Sequence, residues 1–394
     1  MILVGSKRYK MNNFIQLSNM LSNIGQYRNI NHLTETFNPS YPVLFPGQGS
    51  QFVGMATKLC DNYPIAKDMF SQASQILNIN LLELCSKGPK ELLNSTKYSQ
   101  PAIYVASLAA MEVYKHHNEH AIYINPPTVA LGLSLGEYTA LCYCGVFSFI
   151  DGLYLTKTRG EEMQKACDLS PGTMVVVVGV DIKNLLNKCQ EIRLKMKKFV
   201  YIGNYLGPQQ YVLSGDIDAV DAVLSNIIKD DINNSIKITK LSVSGAFHSP
   251  LMKTAQYNLE NVINNTQFSY PQIPIIMNVN GNVIGTGTDN ENERINTIEM
   301  IKANLIKQLT MPVQWEKSLH TLLSGTSITT TITSEHIIGN TSGIEATQLG
   351  ACQYTPLIVD PRFKLAYEVG PGNSCSSTLK RVFRRGKVIS YDCI

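Results

Sequence analysis

The stretch ALGLSLGEYTAL, residues 130–141, places Ser134 between Gly132 and Gly136 in a Gly-x-Ser-x-Gly pattern. In this pattern the serine occupies a sharp turn between a buried strand and a helix, where its hydroxyl can act as a nucleophile. Glycines are required on both sides because side chains there would strike the neighbouring strand and helix. The apolar residues before and after the pattern predict such a strand and helix. We therefore predict a nucleophile elbow centred on Ser134.

A serine hydroxyl is a weak nucleophile until a base takes its proton, so a histidine is expected near Ser134 in space. His248 is the candidate among seven histidines, because it lies just after a predicted strand at residues 236–243, where the chain returns to its larger part. The other six lie in a charged helix end, in the N-terminal segment or beside polar stretches. From these residues alone, His248 is either the base or a structural histidine.

The composition of the chain excludes several other classes of function. A net charge of +4 over 394 residues is too small to indicate a nucleic-acid-binding protein. No apolar run approaches the roughly 18 residues of a membrane-spanning helix. The nine cysteines form no CxxC pair, and no GxxxxGK[ST] motif occurs. We expect neither a metal ion nor a nucleotide cofactor.

The elements that must position these residues follow a short leader. Residues 1–40 carry four basic residues against one acidic residue, Glu35. This composition indicates an organelle transit segment, with a disordered tail as the alternative. An apolar strand at 41–45, helices within 65–115 and the strand-turn-helix around Ser134 then predict an α/β fold.

A small subdomain is predicted within this α/β fold. Residues 170–245 read as strand, helix, strand, strand, helix and strand, which is the ferredoxin-like order. The remaining segments, 41–169 and 246–394, form the larger catalytic domain. Two polar stretches, 284–297 and 324–362, supply no periodic apolar face and are predicted to be surface insertions.

Seven motifs along the chain resemble, in type and order, those of malonyl-CoA:acyl-carrier-protein transacylases. The similarity runs from about residue 41 to residue 388 and is interrupted only by the two polar stretches. It implies an α/β-hydrolase-like large domain with an inserted ferredoxin-like small subdomain, in agreement with the element order. The motifs are FPGQGSQFVGM, GLSLGEYTAL, TRGEEMQ, IGNYLGPQQYVLSG, SGAFHSPLM, QLTMPVQW and YEVGPGNS.

The resemblance implies a role for each matching residue. Ser134 matches the nucleophile and His248 its general base and acid. Arg159 matches the arginine that binds the free carboxylate of the malonyl group, a task that suits the guanidinium fork. Without the resemblance, Arg159 would be interpreted as a helix-surface residue facing Glu161 or Glu162.

Other matching positions complete the implied site. The backbone N–H groups of Gln48 and Leu135 match the oxyanion hole. Gln308 matches the residue whose backbone carbonyl orients the base, so no aspartate is expected. Phe247 matches an aromatic residue that narrows the acyl pocket against a methyl branch. Asn204 falls near the acyl pocket, although a turn-forming asparagine is the alternative interpretation.

Leu133 departs from the family, which usually has histidine at this position. Leucine neither donates nor accepts a hydrogen bond, so we expect a changed rate or pocket polarity with retained activity. The loop GPGNSCSS is a second departure, and its glycines persist. Acyl carrier proteins are acidic, so a basic rim would steer them. The candidates, which could also be a merely solvated helix face, are Lys380, Arg381, Arg384, Arg385 and Lys387.

The resemblance implies an acyltransferase that moves malonyl from malonyl-CoA to the phosphopantetheine thiol of acyl carrier protein, supplying fatty-acid synthesis. We expect a monomer with no cofactor beyond these substrates. The alternatives are a serine hydrolase, a carrier-binding homologue without catalysis, and a transacylase of polyketide synthesis. The basic leader and asparagine-rich insertions favour a plastid, such as an apicoplast, over a mitochondrion or the cytoplasm.

Overall fold

The computed structural model of the protein describes residues 42–117, 127–243, 245–285, 287–324, 365–383 and 386–391. The predicted leader at 1–40 lies outside the described residues, and so does the predicted insertion from residue 325 onward. The described residues contain two β-sheets with helices packed against them. None of their helices is long and apolar enough to cross a membrane.

The larger sheet carries six strands in the order β10-β9-β1-β2-β7-β8. All its pairings are parallel except β7 with β8, which is antiparallel. Parallel strands are buried on both faces, and β1 with its sequence PVLF is buried throughout. The strands are β1 Pro42–Phe45, β2 Val129–Gly132, β7 Ile275–Ile276, β8 Val283–Ile284, β9 Leu365–Val369 and β10 Lys387–Tyr391.

Helices cover both faces of this sheet. Because successive side chains on a strand point to opposite faces, Val43 and Phe45 enter one apolar core while Leu44 enters the other. The helices of this part are α1 Thr57–Asn62, α2 Pro64–Leu77, α3 Leu81–Lys87, α4 Lys90–Asn94, α5 Thr96–His117, α6 Leu135–Tyr143, α7 Phe149–Leu169, α10 Lys253–Asn265, α11 Glu291–Gln308, α12 Trp315–Ser324 and α13 Ser374–Val382.

The smaller sheet is antiparallel, with the strand order β4-β5-β3-β6. Two helices pack against it through a separate apolar core. The elements follow the chain as β3 Thr173–Val178, α8 Ile182–Met196, β4 Val200–Gly207, β5 Gln210–Gly215, α9 Ile217–Asp230 and β6 Lys237–Lys240. This order is ferredoxin-like, so the predicted fold class is confirmed. The predicted domain limits of 41–169 with 246–394 and of 170–245 remain a prediction.

Backbone hydrogen bonds at Val313 tie the smaller sheet to the connection between α11 and α12. The Val313 N–H donates to Gly203 O at 2.9 Å, and the Tyr205 N–H donates to Val313 O at 2.9 Å. Val313 lies between α11, which ends at Gln308, and α12. The connection therefore fixes the edge strand β4 beside the end of α11, which carries a predicted site residue.

The predicted insertion at 284–297 contains the start of helix α11. The Asn290 side chain accepts hydrogen bonds from the N–H groups of Asn292 and Glu293, which caps the helix. Glu291 and Glu293 add negative charge in the first turn, where the helix dipole favours it. The apolar periodicity of the sequence does not predict this helix start, because the first turns of α11 are largely exposed and carry no apolar face.

Candidate active site

Ser134 lies in a strained turn between β2 and α6. Its backbone has φ 53° and ψ −104°, a conformation rare for a residue with a side chain. A Cβ atom on Gly136 would lie 2.1 Å from Phe45 O, and one on Gly132 would lie 2.0 Å from the backbone of Gly136. Neither position accepts a side chain without backbone movement. The Gly-x-Ser-x-Gly pattern is therefore imposed by the close packing of β1, β2 and α6.

Asn278 holds this turn in place and was not among the predicted site residues. It is fully buried, and its Oδ1 accepts the Ser134 N–H at 2.7 Å. Its Nδ2 donates to Gly132 O at 2.7 Å. Asn278 is separated from Ser134 by 144 residues, so no local pattern around Ser134 could have indicated it. The side chain clamps the backbone that leads from β2 into the serine.

His248 faces the serine from the segment that returns from the smaller sheet. Its Nε2 lies 2.9 Å from Ser134 Oγ, and its Nδ1 lies 2.7 Å from the backbone carbonyl of Gln308. Because the carbonyl can only accept, Nδ1 carries the proton and Nε2 offers its lone pair to the serine. Burial, with the nearby Arg159 charge, lowers the pKa of His248 to about 3. The imidazole is therefore neutral and competent to act as a base.

Arg159 is buried at 1% exposure and points at the same serine. Its Nη2 donates to Ser134 Oγ at 3.2 Å and to Gln308 Oε1 at 2.9 Å, and its Nη1 donates to Gln100 Oε1 at 2.7 Å. Its buried Nε has no hydrogen-bond partner. Burial lowers the pKa of Arg159 from its usual value. The interpretation of Arg159 as a helix-surface residue is wrong.

The surroundings of Arg159 suit a carboxylate ligand. A guanidinium offers five N–H donors in a planar fork, and buried donors without partners are rare in folded proteins. Glu161 and Glu162, the surface partners considered for Arg159, pair instead with Lys157 and Lys165. The arginine therefore presents a buried positive charge beside the serine hydroxyl, and it keeps one unused donor, Nε.

Glu137 forms a buried acidic centre behind the serine, and no sequence pattern indicated its role. Its Oε1 accepts the Asn278 N–H at 2.6 Å, and its Oε2 accepts Gln308 Nε2 at 2.5 Å. Burial raises the pKa of Glu137 to about 7, while these hydrogen bonds and Arg159 oppose the rise. On a helix, Glu137 resembles an ordinary exposed acidic residue until the tertiary contacts are known.

The predicted oxyanion-hole residues lie on two elements that meet at Ser134. Leu135 is the first residue of α6, so its N–H has no acceptor within the helix. Gln48 lies in the loop after β1, and a Cβ on the adjacent Gly47 would lie 2.4 Å from Leu133 O. The Gln48 side chain donates to Thr96 Oγ1 at 3.2 Å. This close approach places the loop directly beside the elbow.

The three predicted pocket residues differ in their surroundings. Leu133 is partly buried and packs against the apolar core that contains Trp315. Phe247 is 5% exposed, and its carbonyl accepts Ser214 Oγ at 2.6 Å, which anchors the segment carrying His248. Asn204 is buried on β4, and its backbone pairs with Val313 in an isolated parallel β-bridge. Leu133 therefore makes an apolar contact at a position where the family usually has the polar residue histidine.

The predicted basic rim is partly described. Lys380 and Arg381 are exposed near the end of α13, and Lys387 is exposed at the start of β10. Arg384 and Arg385 lie outside the described residues. Among the residues that the structure describes, no group of three or more His, Cys, Asp or Glu side chains could hold a metal ion.

Together, the α/β-hydrolase-like fold, the Ser134–His248 pair and the buried arginine are suited to the chemistry of the acyl-transferring class of enzymes. A neutral histidine can activate the hydroxyl, backbone N–H groups can face a developing oxyanion, and Arg159 can hold an acyl group that ends in a carboxylate. This arrangement is suited to the formation of an ester between Ser134 and a dicarboxylic acyl group.

The comparisons with known proteins agree with this class. Residues 43–319 match the family model described as "Acyl transferase domain". The mitochondrial malonyl-CoA-acyl carrier protein transacylase of Mus musculus is 32% identical over 86% of this chain and 77% of its own length. The Bacillus subtilis malonyl CoA-acyl carrier protein transacylase is 32% identical over 88% of this chain and 92% of its own.

A solved structure gives the same result. The crystal structure of malonyl-CoA:acyl carrier protein transacylase from Xanthomonas oryzae pv. oryzae superposes with a TM-score of 0.71 and 29% identity, covering 90% of this chain and 95% of that chain. The chain belongs to the acyl transferase family, among the malonyl-CoA-acyl carrier protein transacylases. The resemblance inferred from the seven motifs is thereby confirmed.

Proposed function

We propose that the protein transfers the malonyl group of malonyl-CoA to the phosphopantetheine thiol of acyl carrier protein, through a malonyl ester on Ser134. The observation that carries this proposal is the buried guanidinium of Arg159, 3.2 Å from Ser134 Oγ, with an unpartnered Nε. The names of the relatives support the same donor and acceptor. The product supplies malonyl units for fatty-acid synthesis.

In the first half-reaction, His248 Nε2 takes the proton of Ser134 Oγ as the oxygen attacks the thioester carbonyl of malonyl-CoA. The carbonyl oxygen becomes an oxyanion, which the N–H groups of Gln48 and Leu135 stabilise. Collapse of this intermediate breaks the carbon–sulfur bond, and the protonated His248 returns its proton to the departing CoA thiolate. The enzyme is left with a malonyl ester on Ser134.

In the second half-reaction, the phosphopantetheine thiol of acyl carrier protein attacks the ester carbonyl. His248 takes the thiol proton and delivers it to Ser134 Oγ as the ester bond breaks. The Gln308 carbonyl keeps Nδ1 of His248 protonated throughout, so that Nε2 remains the atom that exchanges protons. The products are malonyl-acyl carrier protein and the free enzyme.

Arg159 gives the reaction its selectivity. The malonyl carboxylate can pair with the guanidinium, whereas an acetyl group would leave the buried positive charge without a ligand. A general serine hydrolase has no use for such a carboxylate clamp, so the buried arginine also argues against that alternative. Phe247 beside the base narrows the pocket, and one methyl branch changes binding by about 1–3 kcal/mol.

The decisive experiment is intact-mass spectrometry of the purified protein after brief exposure to malonyl-CoA, followed by addition of acyl carrier protein. We expect a malonyl adduct that is absent in Ser134→Ala, weakened in Arg159→Ala and discharged by the carrier. Arg294→Ala is the matched control, since Arg294 lies on the same helix α11 but roughly 21 Å along its axis from Gln308.

Other outcomes of this experiment identify the alternatives. Rapid release of free malonate, without transfer to the carrier, indicates a hydrolase. A folded protein that forms no adduct indicates a carrier-binding homologue without catalysis. Transfer of a different acyl unit in preference to malonyl indicates the polyketide alternative. Leu133 touches neither the serine–histidine pair nor Arg159 by a side-chain hydrogen bond, so we expect activity despite this departure from the family.

We also propose that acidic acyl carrier protein docks near the basic end of α13. Cys375, in the first turn of α13, donates its thiol hydrogen to Phe45 O, so this helix begins beside the loop that carries Gln48. Lys380 and Arg381 lie roughly 8–9 Å further along the helix. Charge reversal at both positions is expected to slow discharge to the carrier but not loading from malonyl-CoA.

For the cellular location we propose an organelle, with a plastid favoured by the basic, acid-poor composition of residues 1–40. Among the relatives, the mouse protein is named mitochondrial and the Bacillus subtilis protein is bacterial. Fusion of residues 1–40 to a fluorescent protein distinguishes plastid, mitochondrion and cytoplasm. We further propose a monomer, which light scattering of the purified chain tests.

A further inference from the structure

The carboxylate of Glu137 is fully buried, yet the reaction described above makes no use of it. One oxygen accepts the Asn278 N–H and the other accepts Gln308 Nε2 at 2.5 Å. A buried charge is costly unless hydrogen bonds and an opposite charge compensate it. The position of Glu137 in the fold therefore calls for a function that a neutral residue would not provide.

The side-chain amide of Gln308 is fixed in one orientation by its neighbours. Its Nε2 donates to Glu137 Oε2 and to Ser134 O, at 2.5 and 3.0 Å. Its Oε1 must then face the opposite way, where it accepts Arg159 Nη2 at 2.9 Å. If the Gln308 amide were flipped by 180°, its NH₂ group would face the guanidinium of Arg159. Two hydrogen-bond donors would then face each other with no acceptor between them.

The amide of Gln308 also lies between two buried charged groups, the Glu137 carboxylate and the Arg159 guanidinium. The link runs from the Glu137 carboxylate through the amide to Arg159, so the negative charge supports the guanidinium without occupying its unpartnered Nε. A carboxylate paired directly with Arg159 would compete with the carboxylate of a substrate. The relay leaves the guanidinium oriented and its Nε without a protein acceptor.

We propose that Glu137 is a positioning residue that sets the preference for acyl groups with a free carboxylate, by fixing the Gln308 amide and through it the guanidinium of Arg159. This inference rests on the proposed malonyl transfer. It assigns to the Gln308 side chain a role separate from that of its backbone carbonyl, which orients His248.

Glu137→Gln tests the relay with an isosteric change. The introduced amide must keep its oxygen toward the Asn278 N–H, so its NH₂ group faces Gln308 and turns the Gln308 amide around. Arg159 Nη2 then loses this acceptor, while Ser134 O keeps its bond from the backbone N–H of residue 137. A buried bond to a charged group is lost, so we expect malonyl loading to fall about 10- to 100-fold.

The readout separates positioning of Arg159 from general damage to the site. Formation of the malonyl adduct is compared with formation of the acetyl adduct and with labelling of Ser134 by an uncharged fluorophosphonate, neither of which uses the carboxylate clamp. For Glu137→Gln we expect acetylation and labelling to remain within about threefold of wild type. The half-saturating concentration of malonyl-CoA is expected to rise.

Two further variants complete the test. Gln308→Met removes the amide and keeps the backbone carbonyl, so malonylation should fall more than acetylation; this variant serves if Glu137→Gln does not fold. Glu161→Gln repeats the chemical change at a surface ion pair and should leave all three rates unchanged.

The possible results distinguish the inference from the proposed function. Equal loss of malonylation, acetylation and labelling in both Glu137→Gln and Gln308→Met would overturn the positioning role, as would an unchanged malonyl-to-acetyl ratio. If the wild-type protein itself formed no malonyl adduct, the proposed function would be wrong instead.

Discussion

Truncation of Asn278 to alanine tests how the strained serine turn is held. The substitution removes the acceptor of the Ser134 N–H and the donor to Gly132 O, both at 2.7 Å. It leaves the backbone bond from residue 278 to Glu137 in place. The variant therefore isolates the two side-chain contacts that clamp the turn.

The size of the effect follows from burial. Asn278 is fully buried, so each backbone group that loses its partner costs about 1–3 kcal/mol, or about 2–6 kcal/mol for the pair. The positive φ of Ser134 itself stores about 1–3 kcal/mol of backbone strain. Without the two Asn278 side-chain contacts, the turn can relax and release this strain. Relaxation would move Oγ away from His248, and a shift of about 1 Å costs about 100-fold in rate.

Two measurements check this prediction. Guanidinium unfolding gives the loss of stability, and the rate of malonyl-adduct formation gives the loss of catalysis. Asn258→Ala is the control, because Asn258 is exposed and bonds to Glu162 at the surface; we expect a change within about 0.5 kcal/mol. An Asn278→Ala protein with less than about 1 kcal/mol of lost stability and a wild-type loading rate would refute the reasoning.

Three further predictions follow from the same site. Arg159→Ala should lower malonyl loading by about 100-fold or more and raise the acetyl-to-malonyl ratio, measured by adduct mass; an unchanged ratio would count against the carboxylate clamp. The pKa of His248 is lowered to about 3, so this base stays neutral as the pH falls, whereas the pKa of Glu137 is raised to about 7. Any acid limb of malonyl loading near neutral pH should therefore disappear in Glu137→Gln, and a limb near pH 6.5 that persists in that variant would contradict the buried, neutral base. Gly136→Ala would place a Cβ 2.1 Å from Phe45 O, so we expect misfolding or loss of labelling by a fluorophosphonate, and a stable, fully active variant would show that the packing is looser than described.

Local patterns in the sequence predicted much of the fold. The ferredoxin-like order was readable because its strands and helices carry clear periods of two and of about 3.6 residues, as in the amphipathic helix α8 at Ile182–Met196. The start of α11 was missed because its signal is a cap at Asn290 and not an apolar face.

The site was predictable in part. The elbow at Ser134 has a local signature, since the two glycines are required by contacts within a few residues and with β1. His248 and Arg159 could be chosen only with the help of the family resemblance, because a histidine after a strand and an arginine on a helix have common structural roles. Asn278 and Glu137 had no signature, since a buried asparagine or glutamate has the same residue type as an exposed one.

The sequence by itself therefore determined which segments become strands, helices and the sharp serine turn, because these depend on neighbouring residues and on the periodicity of apolar side chains. Only the tertiary structure decided which distant groups meet. It joins Ser134 to His248 across 114 residues and to Asn278 across 144. Burial then changes the chemistry of these groups, because removal from water lowers the pKa of His248, raises that of Glu137 and leaves Arg159 with an unpartnered donor.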